Sequence, residues 1–96
     1  MSTRRSKLEI MLTVLGAVRD GVDKPTRIQY IANMAWNPTQ RMLNQLVEQG
    51  LLAVMDDPGK KRSKKKYELT EKGFNVLRYF EGAEELLDIG KLMATN

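Results

Sequence analysis

The chain of 96 residues contains no cysteine and no histidine. Those two absences exclude disulfides, thiolate or imidazole metal sites, and the usual thiol nucleophiles and imidazole bases of catalysis. No run of apolar residues approaches the roughly 20 needed to span a membrane, and no secretory signal pattern opens the chain. The expectation is a cytoplasmic protein with no membrane partner, no cofactor, no metal and no enzymatic activity. Aromatic residues make up only 6% of the chain. There is no internal repeat and no linker long enough to separate one domain from another. A chain of this size holds a core of marginal stability, which pairing with a second copy would help.

What the chain has in excess is positive charge, unevenly placed. Its formal net charge is +4. Residues 1–66 carry 13 Lys/Arg against 6 Asp/Glu, whereas residues 67–96 carry 3 against 6. A basic body followed by an acidic end points to a polyanion-binding face and a separate, solvated or self-associating segment.

Residues 1–5 are polar and basic and read as disordered. Ser6-x-x-Glu9 has the form of a capping box, in which the hydroxyl and the carboxylate each satisfy one orphan amide at a helix start. Leu8, Met11, Leu12, Leu15 and Val18 then recur at helical spacing, and Ile10, Val14 and Ala17 form a second apolar stripe. A helix with two apolar sides is deeply buried or shared with a partner. Gly21 stops it.

Thr26-x-x-Gln29 repeats the capping-box pattern and predicts a second helix from Arg27 to about Ala35, with Ile28, Ile31, Ala32 and Ala35 inward. Trp36 falls in the turn. Asn37 and Pro38 predict the cap and first residue of a third helix running to Gln49. Leu51–Asp56 and Lys65–Leu69 have strand character and flank the turn signal Asp57-Pro-Gly-Lys, which predicts a β-hairpin. Thr70 caps a last helix from Glu71 to roughly Leu92. The order helix, helix, helix, hairpin, helix predicts a mainly α fold with a small β-hairpin: a winged helix-turn-helix with an added C-terminal helix. The division that follows is a winged domain over 6–70 and a C-terminal helix over 71–96.

Two groups of residues carry the functional reading. On the third helix, Met42, Leu43, Leu46 and Val47 make a buried stripe. Arg41, Asn44, Gln45 and Glu48 lie opposite, with Gln40 at the edge. Arginine reads guanine, and asparagine and glutamine read adenine, through paired hydrogen bonds in the major groove. Gln40 has a second reading, as a residue reaching back to its helix cap. In the hairpin, Lys60, Lys61, Arg62, Lys64, Lys65 and Lys66 are six cations within seven positions, a density that calls for a polyanion such as a phosphate backbone. A nuclear-localisation reading of that run requires a eukaryotic host. Arg27 starts the second helix, where it suits a phosphate or is surface charge. Tyr30, Trp36, Tyr67 and Phe74 read as packing residues, stacking on bases being the alternative for the first two. Val76, Phe80, Ala83 and Leu87 mark one side of the last helix, and with Ile10 and Val14 they are the candidates for a dimer interface; the alternative, compatible with it, is that this helix folds back onto the Ile10/Val14 side of the first helix within one chain. Glu81, Glu84, Glu85 and Asp88 read as a solvated face.

Four segments carry a resemblance to a known family: Leu8-Glu-Ile-Met-Leu12, Thr26-Arg-Ile-x-Tyr30-x-Ala32-Asn33-Met34, Leu46-x-x-x-Gly50-Leu-Leu52 and Tyr67-x-Leu69-Thr70-x-Lys72-Gly73. Together they resemble the archaeal winged-helix family of small basic DNA-binding proteins, which holds transcription regulators and chromatin-type proteins. The resemblance spans residues 6–90, and the Ile-x-Tyr-x-Ala-Asn-Met segment is its most specific stretch. It implies a homodimer joined through the C-terminal helix as an antiparallel coiled coil, with DNA contacts on the third helix and the wing. The chain departs from that pattern in a short last helix with two glycines, Gly82 and Gly90, and in a wing unusually dense in lysine.

The sequence therefore predicts a double-stranded-DNA-binding, nucleoid-associated transcription regulator, with helix 38–49 in the major groove and wing 57–66 on phosphates. Its alternatives are a chromatin-type protein that coats DNA without sequence preference and, from another class, a winged-helix protein-interaction module.

Overall fold

The computed structural model describes residues 6–56 and 65–87. The elements are α1 (Lys7–Arg19), α2 (Pro25–Ala32), α3 (Trp36–Glu48), β1 (Leu52–Asp56), β2 (Lys65–Leu69) and α4 (Glu71–Leu87). This is the winged helix-turn-helix order that the sequence predicts.

The capping box of α1 is formed. Glu9 N donates to Ser6 Oγ at 3.1 Å, and Ser6 N donates to Glu9 Oε1 at 3.3 Å. Gly21 follows the helix with φ +103°, a conformation that glycine adopts at little cost. Both apolar stripes of α1 feed the chain's own core, because α2, β2 and α4 all pack against this helix. Val14 is only 1% exposed, which takes it off any surface that a second copy could reach and corrects its place among the predicted dimer residues. Leu8, expected inward, is exposed at the open end of α1.

The second and third helices start earlier than predicted. Pro25 occupies the first position of α2, so Thr26 lies inside the first turn and caps nothing; the N-cap is Lys24, with no side-chain bond. Gln29 instead donates from Nε2 to Met34 O at 3.3 Å and ties down the turn. Asn33 ends α2 in the left-handed region, at φ 55° and ψ 48°, so the predicted run to Ala35 stops short. Ala35 is the N-cap of α3, and Asn37 and Pro38 sit within its first turn. Proline is tolerated anywhere in that turn, since each amide there lacks an acceptor, and so it marks a helix start only to within a residue or two.

β1 and β2 pair antiparallel from Leu52↔Leu69 to Asp56↔Lys65. Tyr67 N donates to Asp23 O at 3.0 Å, which draws the α1–α2 link against the hairpin. Tyr67, Leu52 and Leu51 join Leu15, Ile28, Leu43, Leu46 and Leu77 in one core. Thr70 caps α4: Gly73 N donates to its hydroxyl at 3.0 Å. Residues 88–92, the predicted end of the last helix, lie outside the described residues.

Candidate nucleic-acid interface

The outward side of α3 is where helical spacing puts it. Thr39, Met42, Leu43 and Leu46 are buried, whereas Arg41, Asn44, Gln45 and Glu48 face the other side and are all exposed. Gln40 stands apart from that group. With Ala35 as N-cap it is more than a turn inside the helix, so its reading as a cap partner is wrong. Its side chain is half-buried, and Nε2 is enclosed with no hydrogen-bond partner among the described residues. An enclosed donor left without an acceptor costs about 1–3 kcal/mol.

Two cations of the wing are described. Lys65 and Lys66 are exposed on β2, opposite Asp56 and Met55 in the ladder. Lys66 Nζ lies 3.6 Å from Asp23 Oδ2, an ion pair that ties some of its charge to the α1–α2 link. Lys60, Lys61, Arg62 and Lys64 lie outside the described residues. Arg27 is exposed in the first turn of α2.

The structure also brings up residues that sequence reasoning assigned elsewhere. Tyr30 is 87% exposed, where packing was expected. With Thr26 it lines two surface grooves of about 560 and 450 Å³, the first also bounded by Gln29, Asn33 and Met34 and the second by Val22, Arg27 and Ile31. The signal was available: Ile28 and Ala32 face inward four residues apart, which turns Tyr30 about 200° away from Ile28. Trp36, expected to pack in the turn, is the first residue of α3 and is 43% exposed. Lys7 and Ile10 of α1 share a groove of about 400 Å³ with Met34, Pro38, Arg41, Met42 and Gln45, which sets a further cation beside the exposed side of α3.

Along α4, Leu77 is buried, and Val76, Phe80 and Ala83 are half-buried. Tyr79 and Leu86 project from it, and Phe74, expected in the core, is exposed. The Tyr79 and Phe80 rings meet edge-to-face with centroids 5.4 Å apart. Leu87 ends the described helix, and its side chain lies outside the described ones. Arg19 Nη1 and Glu81 Oε2 pair at 2.8 Å and pin α4 to the end of α1. The hydrogen bond to Glu81, followed by that to Asp20, raises the Arg19 guanidinium above its ordinary pKa. Among the described residues no cluster of carboxylates could hold a metal, and no helix is long and apolar enough to cross a membrane.

Three helices, a two-stranded wing and an exposed polar side on the third helix define the winged-helix fold of DNA-binding transcription regulators. The chain belongs to the winged helix-turn-helix family, whose model matches residues 4–88. An uncharacterized protein of Methanocaldococcus jannaschii is 31% identical over 70 residues, which is 73% of this chain and 64% of that protein. Among solved structures, a PadR family transcriptional regulator from Eggerthella lenta matches with a TM-score of 0.70 and 29% identity, over 91% of this chain and 83% of its own. Two further structures share the fold at lower identity. BpsR of Bordetella bronchiseptica, whose DNA binding is regulated by 6-hydroxynicotinic acid, matches at TM-score 0.71 and 20% identity, over 91% of this chain and 66% of its own. A MarR family transcriptional regulator from Silicibacter pomeroyi matches at 0.73 and 22%, over 94% and 61%. The chain thus spans about two thirds of the M. jannaschii relative and of the BpsR and MarR family structures.

Proposed function

We propose that this chain is a duplex-DNA-binding transcription regulator, not an enzyme, that acts as a homodimer and is held on DNA mainly by its wing. The observation that carries the reading is the exposed trio Arg41, Asn44 and Gln45 on α3, followed in the chain by a hairpin whose return strand leads with Lys65 and Lys66. Arginine and amide side chains are the groups that pair bidentately with base edges, and lysines exchange counterions for phosphates. Arg27 and the cations at 60–62 and 64 complete the phosphate-binding set, and Gln40 stands at the edge of the base-reading trio. The M. jannaschii relative supports an archaeal host, where the protein would be cytoplasmic and associated with the nucleoid. The lysine-dense wing favours one rival, a chromatin-type protein that coats DNA with little preference.

Selection from a random duplex library at two salt concentrations tests the reading. An enriched motif supports the regulator, and tight binding without enrichment supports the coating protein. An absence of duplex affinity would leave the protein-interaction module. On an enriched site, Arg41→Ala should cost about 1–3 kcal/mol, and less on random duplex.

Residues 71–96 are assigned to pairing. Leu86 is 88% and Tyr79 73% exposed on α4, and Val76, Phe80 and Ala83 are half-buried beside them. Apolar groups so exposed on a terminal helix fit a matching helix from a second copy, burial of about 25 cal/mol per Å² being the drive. The double variant Tyr79→Glu/Leu86→Glu should shift the solution mass from dimer to monomer in sedimentation equilibrium. A dimer that persists in this variant would place the interface elsewhere.

A further inference from the structure

The carbonyls of residues 49–51, the C-cap of α3 and the two residues that follow it, are held by Thr70 and Lys72 at the start of α4. Lys72 Nζ donates to Gln49 O at 2.8 Å. The Thr70 hydroxyl lies 2.6 Å from Gly50 O and 3.0 Å from Leu51 O, so its one proton is shared between them, while its oxygen accepts from Gly73 N. Thr70 N also donates to Leu51 O, at 3.2 Å. The residues that cap and open α4 thus also hold the chain where it leaves α3. A helix C-terminus carries a partial negative charge, and the Lys72 ammonium on the C-cap carbonyl sets a positive charge beside it.

We infer that Thr70 and Lys72 are positioning residues for DNA binding: they clamp the C-terminal end of α3 to α4, so that α4 sets the angle at which α3 meets the groove. This rests on the reading of α3 as the DNA-contacting helix. The clamp has a counterpart further along α4, where Glu81 holds Arg19 of α1. With α4 fixed at both places, α3 arrives at its target already ordered. A helix free to pivot must instead be ordered on binding, at an entropic cost that appears as weaker affinity. The same joint would pass any displacement of α4, such as a change in how two copies pair, to α3.

The distinguishing test separates a clamp from a phosphate ligand, since Lys72 is exposed and charged. Lys72→Met keeps the aliphatic stem and removes the donor. Duplex affinity of the full chain is measured against salt at a temperature where thermal unfolding shows parent and variant fully folded. A clamp predicts affinity about tenfold lower with the slope of log K against log[salt] unchanged. A slope shallower by about 0.9 per protomer would make Lys72 a phosphate ligand and overturn the inference. So would unchanged affinity. Thr70 supplies an arm free of charge. Thr70→Val should weaken binding at unchanged slope and Thr70→Ser should restore it, whereas Thr70→Val binding like the parent overturns the clamp. Failure of the parent itself to bind duplex DNA is a separate result, which removes the α3 reading and the clamp with it.

Discussion

Gly73→Ala is expected to destabilise the fold by about 3 kcal/mol or more, the scale of a severe steric or backbone fault. Gly73 is buried at the third position of α4, where a Cβ would overlap Leu51 O and press to 2.7 Å from Leu69 Cδ1. The first obstacle is backbone, fixed by the Thr70 bonds at the start of β1, so no side-chain rotation relieves it. Either α4 lifts from the hairpin or the clamp on α3 breaks. At about 4–8 °C per kcal/mol for a domain of this size, the melting temperature should fall by more than about 12 °C in thermal unfolding followed by circular dichroism. Gly82→Ala is the control. Nothing lies within 4 Å of its added methyl, and alanine favours a helix interior over glycine by about 1 kcal/mol, so this variant should melt higher. Equal melting temperatures for Gly73→Ala and the parent would mean that the approach of α4 to β1 is not close.

The second large effect is on binding. Replacing Lys60, Lys61, Arg62, Lys64, Lys65 and Lys66 together with glutamine should weaken all duplex sequences alike, by at least about 100-fold at physiological salt, because these cations displace counterions without reading sequence. The salt slope should flatten by about 0.9 for each phosphate that is no longer neutralised. The six should not contribute equally. Lys66 already has a carboxylate 3.6 Å away, and moving its charge to a phosphate forfeits that pair, so Lys66→Gln alone should cost less than Lys65→Gln. Electrophoretic mobility or anisotropy titrations on several unrelated duplexes read both quantities. Parent-like affinity in the sixfold variant would remove the wing from the interface.

Element types were legible in the sequence because each has a local cause. Ser6 and Glu9 cap α1 as their spacing predicts, and Thr70 caps α4. The hairpin strands end within a residue of where the apolar and turn residues put them. Helix starts were less legible around proline. Pro25 and Pro38 are compatible with several first-turn positions, and at both the helix begins before the polar residue that would have capped it. Side-chain placement failed where it depended on which neighbours arrive. The second stripe of α1 is consumed by α2, β2 and α4, so Val14 is core and not interface. Tyr30 was assigned to packing on residue type alone, although its position between Ile28 and Ala32 points it outward. The role of Tyr67-x-Leu-Thr-x-Lys-Gly73 was hidden for a different reason. Its threonine, lysine and glycine all act on carbonyls at residues 49–51, and side-chain patterning carries no record of backbone acceptors about 20 positions away.

The central claim is that the chain grips duplex DNA chiefly through phosphates. Titrating the intact protein against a random-sequence duplex over a series of salt concentrations tests it most directly. With about five phosphates engaged by each of two protomers, log K should fall against log[salt] with a slope near −9. No measurable affinity for the duplex even at about 50 mM salt, where such interactions are strong, would contradict the account.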